Sequence, residues 1–161
     1  DKPFVAAAVI HDHYCKRQVR PWRQTHKVFY AALLESNVPA VQAAIMYLGV
    51  LVGGPKWAKL VKGRPCPVGT DCINRVDVAS SVSGSQISLN STSELMVSRA
   101  NRYGSATFAN AMATGVPELM AKGNAVTAKD VEALAERMMV ADFYFRNGDE
   151  IGTGVSVTVS E

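Results

Sequence analysis

The stretch THKVFYAALLESNVPAVQAAIMYLGVLVGGPKW, residues 25–57, decides how the chain is built. Read back to Pro21, its first part places Trp22, Thr25, Phe29, Ala32 and Leu33 at three- and four-residue intervals. Side chains so spaced share one face of an α-helix, which predicts a helix over about 21–36. Asn37 and Pro39, in SNVP, are the stop and restart signals. From Pro39 to about Leu51 the residues are apolar on nearly every side, which predicts a third helix enclosed by other elements. GGPKW closes it. The apolar run is interrupted by Pro39, Gln42 and Gly49 and falls short of the ~20 residues a membrane-spanning helix needs, so it reads as buried.

Working outward, Pro3 to about Tyr14 has alanines and β-branched residues without internal Gly or Pro, as a buried first helix would. CKRQVRPWRQ turns the chain, with the break at Pro21. Downstream, KGRPCPVGTDC is rich in Pro and Gly. It marks either a boundary between a helical region, 1–64, and a mixed region, 65–161, or a long loop in one domain. Residues 73–98 alternate apolar and small polar side chains, as short strands joined near Gly84 would. A helix is expected from about Ser93 to Met120, interrupted near Pro117. TAKDVEALAERMMVADFYFRNG reads as one helix, with Thr127 as its cap, Asp130 three residues on, a stripe of Val131, Leu134, Met138 and Phe145, and Gly148 as its end. GTGVSVTVSE alternates Val155, Val157 and Val159 with small polar residues, a half-buried strand. The fold class is therefore α+β, mainly helical: an antiparallel helix pair, an apolar third helix, then a mixed second half with short strands.

With 48% apolar and 19% charged residues, the 161-residue chain has the composition of a folded globular protein and not of a disordered one. Residues 1–64 hold ten Lys and Arg against three carboxylates, whereas residues 65–161 hold seven against eleven. The first half can thus attract an anionic surface such as phospholipid, cell-wall polymer or nucleic acid, or simply be solvated. Cys15, Cys66 and Cys72 are a poor disulfide framework for this length. Cys66 and Cys72 can pair in an oxidising compartment, but the spacing does not require it. No signal-peptide pattern is present, and the chain opens inside a helix, as the excised or exported part of a longer polypeptide would.

The chemistry concentrates in VIHDHYC, residues 9–15. On a helix His11 and Cys15 lie one turn apart on one face, while Asp12 projects about 100° around the axis. His26 and Tyr30 repeat the one-turn relation on the second helix, so antiparallel packing can bring His11, Asp12 and His26 into one cleft. Against this stands a plainer reading, in which these groups hydrogen-bond a helix end, His26 is a satisfied buried histidine and Cys15 a small core residue. Tyr30 and Trp57 read as packing residues, and His13 and Lys27 as solvent-facing. Phosphate loops, dinucleotide fingerprints, nucleophile elbows, Cys-x-x-Cys and His-Glu-x-x-His are absent. KRQVRPWRQTHK is a weak nucleic-acid signal, and the sequon at Asn90 has meaning only in a glycosylating host.

AAVIHDHYC, followed by RQTHKVFYAALL and an apolar helix ending GGPKW, resembles an uncharacterised bacterial and phage family over about residues 3–57. More distantly, the His-Asp pair and the following Phe-Tyr helix resemble bacterial phospholipase A2. That likeness implies His11 as general base for a water attacking an ester, Asp12 as a calcium ligand, and His26 in the place of the residue that orients the base. This chain departs from that pattern in two respects: no glycine-rich calcium loop precedes His11, and His26 is not a carboxylate. Alternatively His11, Asp12 and His26, with His13, ligate a transition metal such as zinc with an open position, suited to metal-assisted hydrolysis.

The expectation is a hydrolase of an ester or amide of an anionic bacterial envelope component, phospholipid first. His11, Asp12 and His26 would be its centre, calcium or zinc its metal if it has one, and an upstream fragment of the same polypeptide a partner. The contrasting expectation is a non-enzymatic phage-tail or secretion-associated module. A toxin-like effector fragment is the third.

Overall fold

Pro21 and Pro39 each stand immediately before a helix in the computed structural model, which describes residues 2–63 and 84–153. A proline at this position forfeits no intrahelical hydrogen bond, because the first N–H groups of a helix lack partners anyway. Helix α1, Val5–Arg17, ends at Gln18, whose left-handed backbone returns its N–H to the Tyr14 carbonyl. Helix α2, Trp22–Glu35, buries Trp22, Thr25, His26, Phe29, Tyr30 and Leu33, so the stripe read from the sequence faces inward with His26 on it. Helix α3, Ala40–Gly53, is buried without a break from Tyr47 to Gly53 and lies among α2 and two later helices, α4, Ala106–Lys122, and α5, Ala128–Met138. Among the described residues no helix is long and apolar enough to cross a membrane.

The sheet begins where the sequence reading had only a helix stop. Strand β1, Lys56–Val61, follows GGP directly. Strands β2, Ser85–Leu89, and β3, Leu95–Arg99, form a hairpin whose turn is held by the Asn90 Oδ1, which accepts from the backbone N–H groups of Thr92 and Glu94. Strand β4, Glu150–Gly152, completes the order β2-β3-β1-β4; β3 is antiparallel to β1 and β2, and β4 is parallel to β1. Strand β1 thus joins residues before and after the Pro- and Gly-rich stretch into one sheet.

Helix α4 spans Ala106–Lys122, so the helix expected from Ser93 begins thirteen residues later and the segment before it is a strand. Leu95–Arg99 falls instead mostly at the end of the stretch 73–98 read as short strands, and four of its five residues are buried between two neighbouring strands. Nor does Pro117 interrupt α4, which runs through it. Gly115, two residues earlier, lets α4 close on α3 and α5: a Cβ there would lie 2.6 Å from Leu48 Cδ2 and 3.0 Å from Met138 Cε. The packing of this helix outweighs the hydrogen bond the proline removes.

Helix α5, Ala128–Met138, starts with the expected cap: Thr127 accepts from the Asp130 N–H while the Asp130 carboxylate accepts from the Thr127 N–H. It stops at Met138 and does not continue to Gly148. Asp142 instead caps a separate turn, α6, Phe143–Arg146, which swings Phe145 against Trp22 at a ring separation of 5.0 Å. Val155, Val157 and Val159, and the Cys66–Cys72 pairing, lie outside the described residues.

Candidate functional site

Helices α1 and α2 are joined by residues 18–21, and this link is pinned at several points. Trp57 Nε1 donates to the Arg20 carbonyl at 2.7 Å and Asn90 Nδ2 to the Gln18 carbonyl at 3.1 Å. The hairpin so fixed sets His11 against His26. Their rings are 4.9 Å apart, with His11 Nε2 and His26 Nδ1 at 2.7 Å. His26 is fully buried and His11 is 7% exposed. Phe29 covers His11 at 4.7 Å, and Trp22 and Trp57 flank His26 at 5.8 and 6.2 Å.

The GGPKW segment is the far wall of this site. His26 Nε2 lies 2.9 Å from the Pro55 carbonyl, which can only accept, so that nitrogen carries the ring proton. Nδ1 of a neutral His26 is then the acceptor, and His11 Nε2–H donates to it. Gly54 makes the approach possible: a Cβ there would sit 3.1 Å from His26 Nε2 and 2.3 Å from the Val50 carbonyl oxygen. Lys56 is buried too, its Nζ donating to the carbonyls of Val52 at 3.0 Å and Gly54 at 3.2 Å at the end of α3, over the rings of Trp22 and Phe145.

Burial lowers the His11 pKa below its ordinary value, partly offset by the nearby Asp12 carboxylate. It lowers that of His26 further, with His11 and Lys56 adding to the effect and the Pro55 carbonyl opposing it. Burial therefore favours the neutral form of both rings. Burial also pushes the Cys15 thiol up to about 12, with Asp12 adding to it. As a free thiol Cys15 is thus a poor nucleophile.

Of the three residues singled out from the sequence, the structure brings His11 and His26 together and leaves Asp12 exposed on α1, where its charge acts on His11. His13 is exposed beside Tyr14, Lys27 is exposed, and Tyr30 stacks on Tyr47 at 4.9 Å. The place expected for Asp12 is taken by Cys15. Its Sγ lies 3.5 Å from His11 Nε2, and the donor atoms of His11, Cys15 and His26 all fall within 4.8 Å of one another. The one-turn spacing of His11 and Cys15 was the signal for it. Tyr103, held beside Cys15 and Asp12, has its hydroxyl pushed up to about 12, chiefly by burial; no sequence pattern pointed to it. Two imidazole nitrogens and a sulfur are not the oxygen donors that calcium takes.

Residues 2–50, which hold all three of these side chains, match the model of a family described as a protein of unknown function, DUF1353. Two uncharacterised proteins of Sinorhizobium fredii (strain NBRC 101917 / NGR234) are similar. The protein y4iH is 44% identical over 70 residues, which are 44% of this chain and 29% of that protein. The protein y4jT is 35% identical over 66 residues, 39% of this chain and 20% of that protein. The chain thus spans less than a third of the length of these curated relatives. No solved structure matches. The helical first part accordingly resembles a bacterial domain of unknown function.

Proposed function

We propose that the His11–His26 pair is the working centre of a hydrolase acting on an ester or amide of an anionic bacterial envelope component, phospholipid first. The observation that carries this reading is the 2.7 Å contact between two buried imidazoles whose far end is anchored on the Pro55 carbonyl. With Nε2–H of His11 committed to His26, the lone pair of His11 rests on Nδ1. From there it can take a proton from a water that attacks the carbonyl carbon. His26 orients the base, as the second-helix residue does in the phospholipase A2 likeness, and the Asp12 carboxylate favours the imidazolium that forms. The exposed Lys16, Arg17 and Arg20 at the end of α1 suit an anionic surface.

The test is release of fatty acid from anionic phospholipid vesicles, and of product from a panel of envelope esters and amides, all in the presence of a chelator. Replacing His11 by Gln is expected to lower the rate about 10²–10⁴-fold, the usual contribution of a general base. Equal rates for His11→Gln and the unaltered protein would sink the proposal.

The alternative is a non-enzymatic, partner-binding module in which the pair ties α1, α2 and the Pro55 segment together. The full burial of His26 within aromatic rings favours it. On that reading His26→Gln loses stability, and no member of the substrate panel is turned over.

A further inference from the structure

We infer that His11 Nε2, His26 Nδ1 and Cys15 Sγ form a three-ligand site for a transition-metal ion of the zinc class, with the fourth position left to water or a small ligand. The inference concerns the same cluster as the proposed hydrolase but does not depend on its catalytic activity.

The arrangement of the donors distinguishes coordination from a proton relay. In a nucleophile–base–orienter triad the base uses its two ring nitrogens for two different partners. Here Cys15 Sγ at 3.5 Å and His26 Nδ1 at 2.7 Å both address the same nitrogen, His11 Nε2. Three donors thus converge on one region instead of passing a proton along a line. They come from one turn of α1 and the facing turn of α2, and all lie within 4.8 Å of one another. Tetrahedral zinc, with bonds of about 2.0 Å to nitrogen and about 2.3 Å to sulfur, sets an N···S separation of about 3.6 Å and an N···N separation of about 3.3 Å. The first is present between Cys15 and His11, at 3.5 Å, while Cys15 and His26 lie within 4.8 Å and close on the ion as it binds. The second requires the two rings to part by roughly 0.6 Å when both present lone pairs to an ion in place of sharing a proton.

The surroundings match those of a ligating histidine. The ring nitrogen of His26 that faces away from the cluster donates to the Pro55 carbonyl, which fixes both tautomer and ring plane before any ion arrives. Gly54 leaves room for that contact. The N₂S donor set selects zinc and similar borderline or soft ions over calcium and magnesium, which take oxygen.

Proton bookkeeping follows from the geometry. The Cys15 S–H proton is released as the sulfur–zinc bond forms, and the His11 ring proton moves from Nε2 to Nδ1. His26 keeps its proton on Nε2. One proton therefore leaves per ion bound, and no oxidant or reductant is involved. A loaded site also removes the Nδ1 lone pair on which the proposed base depends, so zinc is expected to suppress any chelator-resistant hydrolysis.

The test is titration of the metal-free protein with Zn²⁺, by calorimetry in buffers of different ionisation enthalpy, and with Co²⁺ followed by absorption. It is run on the unaltered chain, on Cys66→Ser/Cys72→Ser, on Cys15→Ser and on His26→Gln. Expected are one zinc and one released proton per chain, a thiolate-to-cobalt charge-transfer band with the intense visible bands of a four-coordinate site, and full retention of both in Cys66→Ser/Cys72→Ser. Cys15→Ser is expected to keep its circular dichroism, lose the charge-transfer band and bind zinc at least about a hundredfold more weakly. A band that survives Cys15→Ser but disappears in Cys66→Ser/Cys72→Ser overturns the inference, as does no binding at micromolar metal. Failure of the hydrolase reading shows separately, as absence of turnover in chelator whatever the metal result.

Discussion

Gly54 and Lys56 show how much of the site is decided by single residues flanking it. A methyl group at Gly54 meets the Val50 carbonyl at 2.3 Å, which is backbone and cannot rotate away. Gly54→Ala is therefore expected to cost about 1–3 kcal/mol by displacing the Pro55 segment from His26, read as a lower denaturation midpoint. The same displacement should weaken zinc binding. Lys56 has its pKa lowered to about 7, chiefly by burial, with Arg99 the next contributor. In the unfolded chain it returns to its ordinary value of 10.5. As pH falls through the window between the two, the unfolded chain takes up the proton first, so stability rises with pH across the window and is lost toward its lower end. Between pH about 7.5 and about 9.5 the unaltered protein is expected to gain roughly 2–3 kcal/mol relative to Lys56→Met, whose own stability lacks this slope. Denaturant midpoints for the two proteins at matched pH measure it.

At the scale of elements, α4 shows local preference yielding to packing. Gly115 is a poor helix former, yet a side chain there would press Leu48 at 2.6 Å and Met138 at 3.0 Å. Alanine gains about 1 kcal/mol of helix propensity and loses about 1–3 kcal/mol to overpacking of α3 and α5. Gly115→Ala is expected to be net destabilising, as a thermal melt would show; a higher melting temperature would mean that Leu48 and Met138 yield freely. The helical hairpin of α1 and α2 works by the same rule. Phe29 and Leu33 are buried on one face of α2, and that choice of face carries His26 inward with them.

Across the whole molecule, the sheet and the last helical turn are tied by Arg99 and Asp142. Arg99 Nη1 meets Asp142 Oδ2 at 2.7 Å with both side chains nearly buried, and Arg99 lies over the Tyr144 ring. Lys56 stands directly opposite Arg99 in the sheet, and the Asp142 carboxylate favours its charged form while the Arg99 guanidinium opposes it. Asp142→Asn keeps the cap on α6 but removes the charge. It is expected to destabilise the fold by about 3–5 kcal/mol, the cost of stranding a buried charge. A loss under about 1 kcal/mol, measured in urea, would show that the pair is replaceable by its neighbours. Arg23 adds a second tie, from α2 to the carbonyls of Tyr144 and Phe145.

The sequence by itself determined the helices α1, α2 and α3, the cap of α5 and the mainly helical α+β class, because those features depend on residue spacing within a turn or two and on local punctuation by Pro, Gly and Thr. It also drew His11, Asp12 and His26 toward one cleft, through the antiparallel packing of the first two helices. Tertiary structure alone decided the rest. Strand β1 is buried through partners distant in the chain, so its side chains carry no period that a local reading can find, whereas β2 and most of β3 fall in the alternating stretch 73–98 read as short strands. The start of α4 and the break between α5 and α6 followed from the same long-range contacts. The exchange of Asp12 for Cys15 was settled by the rotation of α1 about its axis. Both residues are one helical step or one turn from His11, and only the packing of α1 on α2 determines which of them joins the His11–His26 cluster and which faces water.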